Sequence, residues 1–140
     1  MASTRAFLDT SGFYALLVKE DRIHPQASAW LQAVSAERPI LATTDLVLNE
    51  TATLLKARGH RHVIKQFFDL LAATKALQIC WLDPALFADT QTFFLKHQDH
   101  DYSFADCASF LVMRRSGLSE ALTTDGHFRE AGFVPLLPTA

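Results

Sequence analysis

The sequence predicts an α/β fold, a three-layer α/β/α sandwich around a mostly parallel central sheet. Short apolar runs alternate along the chain with longer stretches whose apolar residues recur at helical spacing. Strands that alternate with helices form parallel sheets covered on both faces, because each crossover helix packs back onto the sheet. With 140 residues, of which 49% are hydrophobic, the chain suffices for one core, and we expect a single domain over residues 1–140.

In the first half of the chain, strand and helix signals alternate from the start. The run "RAFL" predicts a buried strand, and "TSGFYALLVKED", which opens with capping hydroxyls, predicts a helix. "HPQASAWLQAVSAE" predicts a second helix with Pro25 in its first turn, and "RPILATT" predicts a second strand. A third helix is expected from Thr44 or Asp45 through "LVLNETATLLKAR", with Gly59 ending it.

The second half continues the alternation. "HRHVIKQFFDLLAATKA" predicts a fourth helix, "LQICWL" a third strand, and "PALFADTQTFFLKH" and "SFADCASFLVMRRSG" two further helices. "EALTT" and "FVPLL" are short strands on either side of a helical turn in "DGHFREAG". The apolar stripes of these helices are expected in the core or in a dimer interface, and they comprise Phe67, Phe68, Leu70, Leu71, Phe93, Phe94, Phe110 and Leu111.

Charge and cysteine content narrow the function classes. A formal net charge of −2 gives no general attraction to phosphate, so a nucleic-acid site must be a local patch or depend on bound cations. Cys80 and Cys107 lie far apart without C-x-x-C spacing, which is typical of free thiols in a reducing compartment. No segment approaches the roughly 20 apolar residues that a membrane span needs. We therefore expect a cytoplasmic protein without a membrane partner.

Two aspartates follow predicted strands directly. Asp9 comes after "RAFL" and Asp125 after "ALTT". In open α/β sheets ligands bind at the carboxyl ends of the strands, so both carboxylates are expected where such a fold places its chemistry. The alternative is that each aspartate is only the cap of the helix that follows it.

Glu50 is predicted to point inward from the third helix. Helical spacing puts position 50 on the same face as Leu46, Val47 and Leu54. A buried carboxylate without a partner is costly, so the site would need a cation, a hydrogen-bond network or a raised pKa. Alternatively, Glu50 lies at the edge of the apolar stripe and pairs with a nearby Arg or Lys.

Ser103 and Asp106 have the spacing of a capping box, in which a serine caps a helix and the acid at the third helical position returns a hydrogen bond. This local role is sufficient to explain Asp106. It also fixes a carboxylate at the positive end of a helix, from where it can join the other acids at one sheet edge.

Four converging carboxylates would repel one another, and without a cation at least one pKa would rise. Oxygen ligands without His or Cys suit Mg²⁺ or Mn²⁺. Such ions activate water and stabilise a phosphoryl oxyanion. The predicted chemistry is therefore metal-dependent hydrolysis of a phosphodiester.

Four stretches resemble, in order, the acidic motifs of the PIN domain family, and they are "FLDTSGFYALL", "TTDLVLNETATLL", "YSFADCASF" and "ALTTDGHFREAGF". The resemblance covers nearly the whole chain. PIN domains are Mg²⁺- or Mn²⁺-dependent ribonucleases of α/β/α fold, and many small bacterial ones are toxins of VapBC-type toxin–antitoxin pairs. The resemblance thus implies an endoribonuclease that acts on RNA, with a cognate antitoxin as a candidate partner and a homodimer as the expected assembly.

The resemblance also implies roles for individual residues. The catalytic and metal-binding acids that it implies are Asp9, Glu50, Asp106 and Asp125. Ser103 and Thr123 match the hydroxyl positions of the last two motifs and are expected to orient those acids or a metal-bound water. Many relatives carry a further acid two residues after the last aspartate, where this chain has His127. This departure argues against a second tightly held metal and leaves the imidazole to hydrogen-bond substrate or to ligate weakly.

A basic stretch, "KARGHRHVIK", surrounds the end of the third helix. Its residues Lys56, Arg58 and Arg61 are predicted to contact the RNA backbone. The alternative is an ordinary solvated turn between helices, because the stretch has little aromatic content on which bases could stack.

Two other functions are alternatives to the endoribonuclease. A phosphate-transfer enzyme with Asp9 as nucleophile, of the haloacid-dehalogenase type, needs an acid at position 11, where this chain has Ser11. A PIN-like scaffold that binds nucleic acid or protein without cleaving is the remaining alternative. Retention of the four acids argues against the scaffold, and metal titration separates it from a nuclease.

Overall fold

The structure, a computed structural model, describes residues 4–139 and is built on one parallel sheet. Residues 1–3 and 140 of the predicted domain lie outside the described part. Its strands are β1 (Arg5–Leu8), β2 (Ile40–Thr44), β3 (Leu77–Cys80), β4 (Glu120–Leu122) and β5 (Val134–Pro135). They are arranged in the order β3-β2-β1-β4-β5, and all neighbouring strands pair in parallel.

Seven helices connect the strands, and they are α1 (Thr10–Leu17), α2 (His24–Ser35), α3 (Asp45–Ala57), α4 (Ile64–Ala73), α5 (Pro84–Lys96), α6 (Phe104–Arg115) and α7 (His127–Glu130). Right-handed crossovers place the first four on one face of the sheet and the last three on the other. The packing agrees, because α1 contacts α2 and α3, whereas α6 contacts α5 and α7. The predicted three-layer α/β/α fold is confirmed.

Most elements are shorter at their ends than predicted, and the second strand and the fourth helix show why. The second strand begins at Ile40 rather than at Arg38, because Arg38 has a φ of 52°, which is incompatible with extended backbone. The predicted fourth helix is divided into a 3₁₀ turn over Arg61–Val63 and α4. It also ends early, where the Thr74 hydroxyl donates to the carbonyl of Leu70 at 2.6 Å.

Aromatic side chains dominate the core. Phe110 is fully buried, and its ring packs against those of Tyr102, Phe128 and Phe133 at centroid distances of 5.0, 5.1 and 5.7 Å. Truncating such a side chain to alanine costs about 3–5 kcal/mol, because it leaves a cavity in a close-packed interior.

The residues of the predicted apolar stripes differ in burial. Phe67 and Phe110 are buried in the core, whereas Phe68, Leu70 and Phe94 are 52%, 37% and 38% exposed. Both cysteines carry free thiols. Among the described residues, no helix combines the length and the apolar character needed to cross a bilayer.

The topology creates a crevice between β1 and β4. From β1 the chain moves outward to β2 and then β3, and it returns to the opposite side of β1 as β4. Ligands bind at such a switch point, outside the carboxyl ends of the strands. Gly12 allows α1 to approach β4 there, since a Cβ at this position would lie 2.1 Å from the carbonyl oxygen of Leu122.

Candidate active site

The carboxyl ends of the strands open into a cleft of about 460 Å³. The acids predicted from the sequence all line it, and they are Asp9, Glu50, Asp106 and Asp125. They come from four separate parts of the chain, the ends of β1 and β4 and the helices α3 and α6. The predicted convergence at one sheet edge is therefore present in the structure.

Asp9 is buried in the crevice between β1 and β4, with 7% of its surface exposed. Its side chain makes no capping bond to α1 and instead accepts a hydrogen bond of 2.8 Å from the Thr123 hydroxyl. Burial raises the pKa of Asp9 from 3.8 to about 7, against hydrogen bonds from Thr123 and from the Thr10 backbone, and the charges of Asp106 and Asp125 add to the rise. The Asp9 carboxylate therefore makes no side-chain cap on α1, and its burial disfavours the ionised form unless a positive charge lies nearby.

A hydroxyl network holds Asp9 in place. The single hydroxyl proton of Thr123 goes to Asp9, so Ser11, whose Oγ lies 3.1 Å away, must donate to the Thr123 oxygen. Thr123 also accepts from the Asp125 backbone N–H at 3.0 Å, and Ser11 from that of Thr124 at 2.9 Å. Sequence reasoning missed Ser11 as part of this network. A hydroxyl two residues after a strand-end aspartate was the available signal.

Asp106 lies at the first turn of α6 in the predicted capping box. The Ser103 hydroxyl accepts from the Asp106 backbone N–H, and Oδ2 of Asp106 accepts from the Ser103 backbone N–H, both at 3.0 Å. Burial raises the pKa of Asp106, the bond from Ser103 lowers it, the charge of Asp125 raises it and the imidazole of His127 lowers it. The capping box therefore aims a partly buried carboxylate into the cleft.

Asp125 and His127 complete the same corner. Oδ1 of Asp125 accepts from the His127 backbone N–H at 2.9 Å, so the local capping alternative holds in part for Asp125. Nδ1 of His127 lies 3.4 Å from Oδ2 of Asp106 and 3.4 Å from Oδ1 of Asp125. Ligand atoms from Asp106, Asp125 and His127 all lie within 4.8 Å of one another.

Glu50 does not point into the core, so the predicted inward orientation is wrong. The buried face of α3 consists of Val47, Leu48, Thr51 and Leu55, and Glu50 lies exposed on its flank. Apolar residues at helical spacing also line the open side of α3, which is why the pattern misled. Among residues 4–139 no Lys or Arg pairs with Glu50, although Arg58 lines the same cleft.

The basic residues divide into two groups. Arg58 lines the cleft, with its guanidinium 5.1 Å from the centroid of the Tyr14 ring. Tyr14 also lines the cleft, and its hydroxyl lies 2.9 Å from Nε2 of His60. Lys56 and Arg61 are exposed and are not among the residues that line the cleft.

Sequence reasoning also missed Asp21 and Arg22, which line the cleft from the loop before α2. That loop reads as an ordinary charged turn, "KEDRIH", and nothing in it signals proximity to residues a hundred positions away. Only the packing of α1 on α2 brings it there.

The side chains present fit a divalent cation. The carboxylates offer oxygen ligands, and burial disfavours their ionised forms in the absence of a positive charge. Nδ1 of His127 is itself buried without a hydrogen-bond partner in the described part of the chain. A cation bound at this corner would satisfy both conditions.

Comparisons with known proteins agree with this fold and identify the family. A family model described as PIN domain matches residues 6–134, which include the four acids and His127. The 23S rRNA-specific endonuclease VapC20 of Mycobacterium tuberculosis is 34% identical over 134 residues, covering 94% of this chain and 98% of that protein.

Solved structures extend the comparison. The crystal structure of VapC20, described as a sarcin–ricin loop cleaving toxin, superposes with a TM-score of 0.82 at 31% identity, covering 95% of this chain and 99% of that one. VapBC2 from Rickettsia felis, bound to promoter DNA, has a TM-score of 0.66 at 12% identity, covering 94% and 97%, and supports the fold alone. The match over nearly the whole chain confirms the predicted family: this chain belongs to the PIN domain family.

Proposed function

We propose that this protein is a metal-dependent endoribonuclease that hydrolyses RNA phosphodiester bonds in the cleft at the carboxyl end of the sheet. The observation that carries the proposal is the convergence of Asp9, Glu50, Asp106 and Asp125 on that one cleft. The raised pKa values of Asp9 and Asp106 support it, because a divalent cation favours the ionised form of both carboxyls.

In this mechanism the four acids would hold Mg²⁺ or Mn²⁺, and a cation bound there would stabilise the negative charge that develops on the phosphate and lower the pKa of water. Thr123 donates to Asp9 and Ser103 holds Asp106, so both carboxylates are oriented before substrate arrives. Arg58 lies in the same cleft and contacts the phosphate backbone. With a net charge of −2 the chain has no general attraction to RNA, so binding would depend on the cation and on local contacts such as that of Arg58.

We propose that the substrate is RNA and that the protein is the toxin of a toxin–antitoxin pair. The relative at 34% identity is named a 23S rRNA-specific endonuclease, and the solved structure at 31% identity is described as a sarcin–ricin loop cleaving toxin. A toxin of this kind requires a neutralising partner, so a cognate antitoxin protein is the expected partner.

We further propose a cytoplasmic homodimer. The free thiols of Cys80 and Cys107 suit a reducing compartment. Helix α5 leaves Phe87, Phe94 and Leu95 49%, 38% and 55% exposed, and exposed apolar side chains gathered on one helix are typical of association surfaces. Light scattering on protein that elutes from a size-exclusion column should give twice the chain mass. A monomer at all concentrations would contradict the dimer.

The test of the nuclease is cleavage of labelled RNA by the purified protein with Mn²⁺, with Mg²⁺ and with EDTA. The substrates are a mixed-sequence RNA and a sarcin–ricin loop hairpin. Asp9→Asn should reduce cleavage at least about a hundredfold, because it removes a charge from the cation site. Asp101→Asn, which alters an exposed acid outside the cleft, is the matched control and should cleave normally.

Three outcomes separate the alternatives. Cleavage that needs both a cation and Asp9 supports the nuclease. Equal cleavage by wild type and Asp9→Asn contradicts the assignment of the site. A folded wild-type protein that neither cleaves nor binds Mn²⁺ is the scaffold.

A further inference from the structure

One ring nitrogen of His127, Nδ1, faces the carboxylates of Asp106 and Asp125. Nδ1 lies 3.4 Å from a carboxylate oxygen of Asp106 and 3.4 Å from one of Asp125. Adjacent ligands of an octahedral ion with bonds of about 2.1 Å are about 3 Å apart. The two distances from Nδ1 are therefore close to the spacing of neighbouring ligands around one ion, and ligand atoms of the three residues all lie within 4.8 Å of one another.

The ring is held in this position from two sides. The backbone N–H of His127 is fixed by Asp125 at 2.9 Å, and the ring packs edge-on against Tyr102 with the centroids 5.5 Å apart. Nδ1 is nevertheless a buried polar atom that makes no hydrogen bond to any residue from 4 to 139. Buried polar atoms normally have partners, so an oriented nitrogen without one indicates a partner of another kind.

We propose that Nδ1 of His127 is a ligand of the bound cation, beside Asp106 and Asp125, and that it makes the site prefer Mn²⁺ to Mg²⁺. The proposal rests on the cation site of the proposed function and names its ion. Mg²⁺ binds oxygen ligands almost exclusively and gives up its water reluctantly, whereas Mn²⁺ accepts imidazole nitrogen together with carboxylates. A neutral imidazole in place of a further carboxylate offers a nitrogen ligand, which suits Mn²⁺ better than Mg²⁺.

One other role fits the same distances. A protonated imidazolium between the two carboxylates would itself supply positive charge, in place of a cation. The two roles predict opposite results for His127→Asn. If His127 is a ligand, this variant loses Mn²⁺ affinity, and if it is an imidazolium, the variant gains it.

The test measures Mn²⁺ binding to the full chain without RNA. Pulsed electron paramagnetic resonance of bound Mn²⁺ detects a coordinated imidazole through its ¹⁴N coupling, and competition gives the Mn²⁺ and Mg²⁺ affinities. The variants are His127→Asn and His127→Asp, with His60→Asn as the matched control, since His60 bonds Tyr14 at the cleft wall. Asp125→Asn reports whether binding occurs at the acids at all.

The expected result is a ¹⁴N coupling in wild type and His60→Asn that disappears in both His127 variants. The ratio of Mn²⁺ to Mg²⁺ affinity should fall at least about tenfold in His127→Asp. Mn²⁺ that needs Asp125 but shows no ¹⁴N coupling in wild type would overturn this proposal alone, as would tighter Mn²⁺ binding by His127→Asn. Absence of any Asp125-dependent Mn²⁺ binding would overturn the cation site of the proposed function together with it.

Discussion

The two walls of the cleft are built differently. On the sheet wall Asp9 is buried and held by Thr123, which is itself held by Ser11 and by the backbone after β4. On the helix wall Glu50 is exposed on α3 with no ion pair among the described residues. Folding thus fixes the sheet wall through hydrogen bonds, whereas no ion pair among the described residues holds the Glu50 side chain.

This difference should separate stability from activity. Burying Asp9 with a raised pKa costs folding free energy above its ordinary pKa, so the sheet wall lowers stability at neutral pH. An exposed Glu50 carries no such cost. Substitutions on the sheet wall should therefore change both quantities, and substitutions on the helix wall should change activity alone.

The largest expected effect is the pH dependence of stability caused by Asp9. Its pKa is about 7 in the folded protein against 3.8, so its contribution to the free energy of unfolding is fully present below about pH 4 and is lost as the pH rises through about 7. The change is on the order of 4 kcal/mol. Urea unfolding in EDTA at about pH 4.5 and about pH 8 should show that Asp9→Asn gains stability relative to wild type at the higher pH.

Mn²⁺ should cancel this loss at the higher pH in the wild type and not in the variant, because the cation favours the ionised carboxyl. A wild-type minus Asp9→Asn difference that stays constant over this pH range would contradict the raised pKa. The difference between the two proteins isolates Asp9 from the other groups that titrate in the range.

The second expected effect concerns the hydroxyl that orients Asp9. Thr123→Val removes the donor to Asp9 while keeping the side-chain shape, so cleavage should fall by about tenfold to a hundredfold, as for groups that orient metal ligands. Thr123→Ser keeps the hydroxyl and should retain most activity. Equal activity of the valine and serine variants in steady-state cleavage assays would show that orientation of Asp9 by this bond is unimportant.

A third test addresses the helix wall. Glu50→Gln should lower RNA cleavage about tenfold through loss of a cation ligand. Its free energy of unfolding should stay within about 0.5 kcal/mol of wild type, because Glu50 is exposed. Glu20→Gln, an exposed acid outside the cleft, is the control for both measurements. A loss of stability comparable to that of a core substitution would mean that the two walls do not differ as described.

The smallest expected effect is that of Arg58. Arg58→Ala should raise the KM for RNA a few-fold and reduce the salt dependence of binding by about one phosphate contact. Lys56→Ala, two positions away but outside the cleft, should do neither. The comparison fails if both variants weaken RNA binding equally, since the whole basic stretch would then act as a diffuse patch.

How much was predictable from the sequence follows the same division. Asp9 and Asp125 were recognisable because strand ends converge in a parallel sheet, and the capping box of Ser103 and Asp106 is a local pattern. Those inferences needed only the order of the elements. Which strand ends lie side by side is known only from the strand order of the folded sheet.

Features that depend on tertiary packing were not predicted. The exposure of Glu50 depends on which face of α3 meets the sheet, and both faces carry apolar residues at helical spacing. The bond between Ser11 and Thr123 joins residues 112 positions apart, so the local pattern around Ser11 does not identify its partner. Arg58 and Lys56 are both basic residues near the end of α3, and only Arg58 lines the cleft.

The central claim is that this cleft holds a cation between its acids. The most direct measurement is an anomalous difference map from crystals of the protein soaked in Mn²⁺. The account predicts a peak in contact with the carboxylates of Asp106 and Asp125 and with Nδ1 of His127, within the cleft that Asp9 lines. A fully soaked crystal with no peak in this cleft, or with its Mn²⁺ bound elsewhere, would contradict the account.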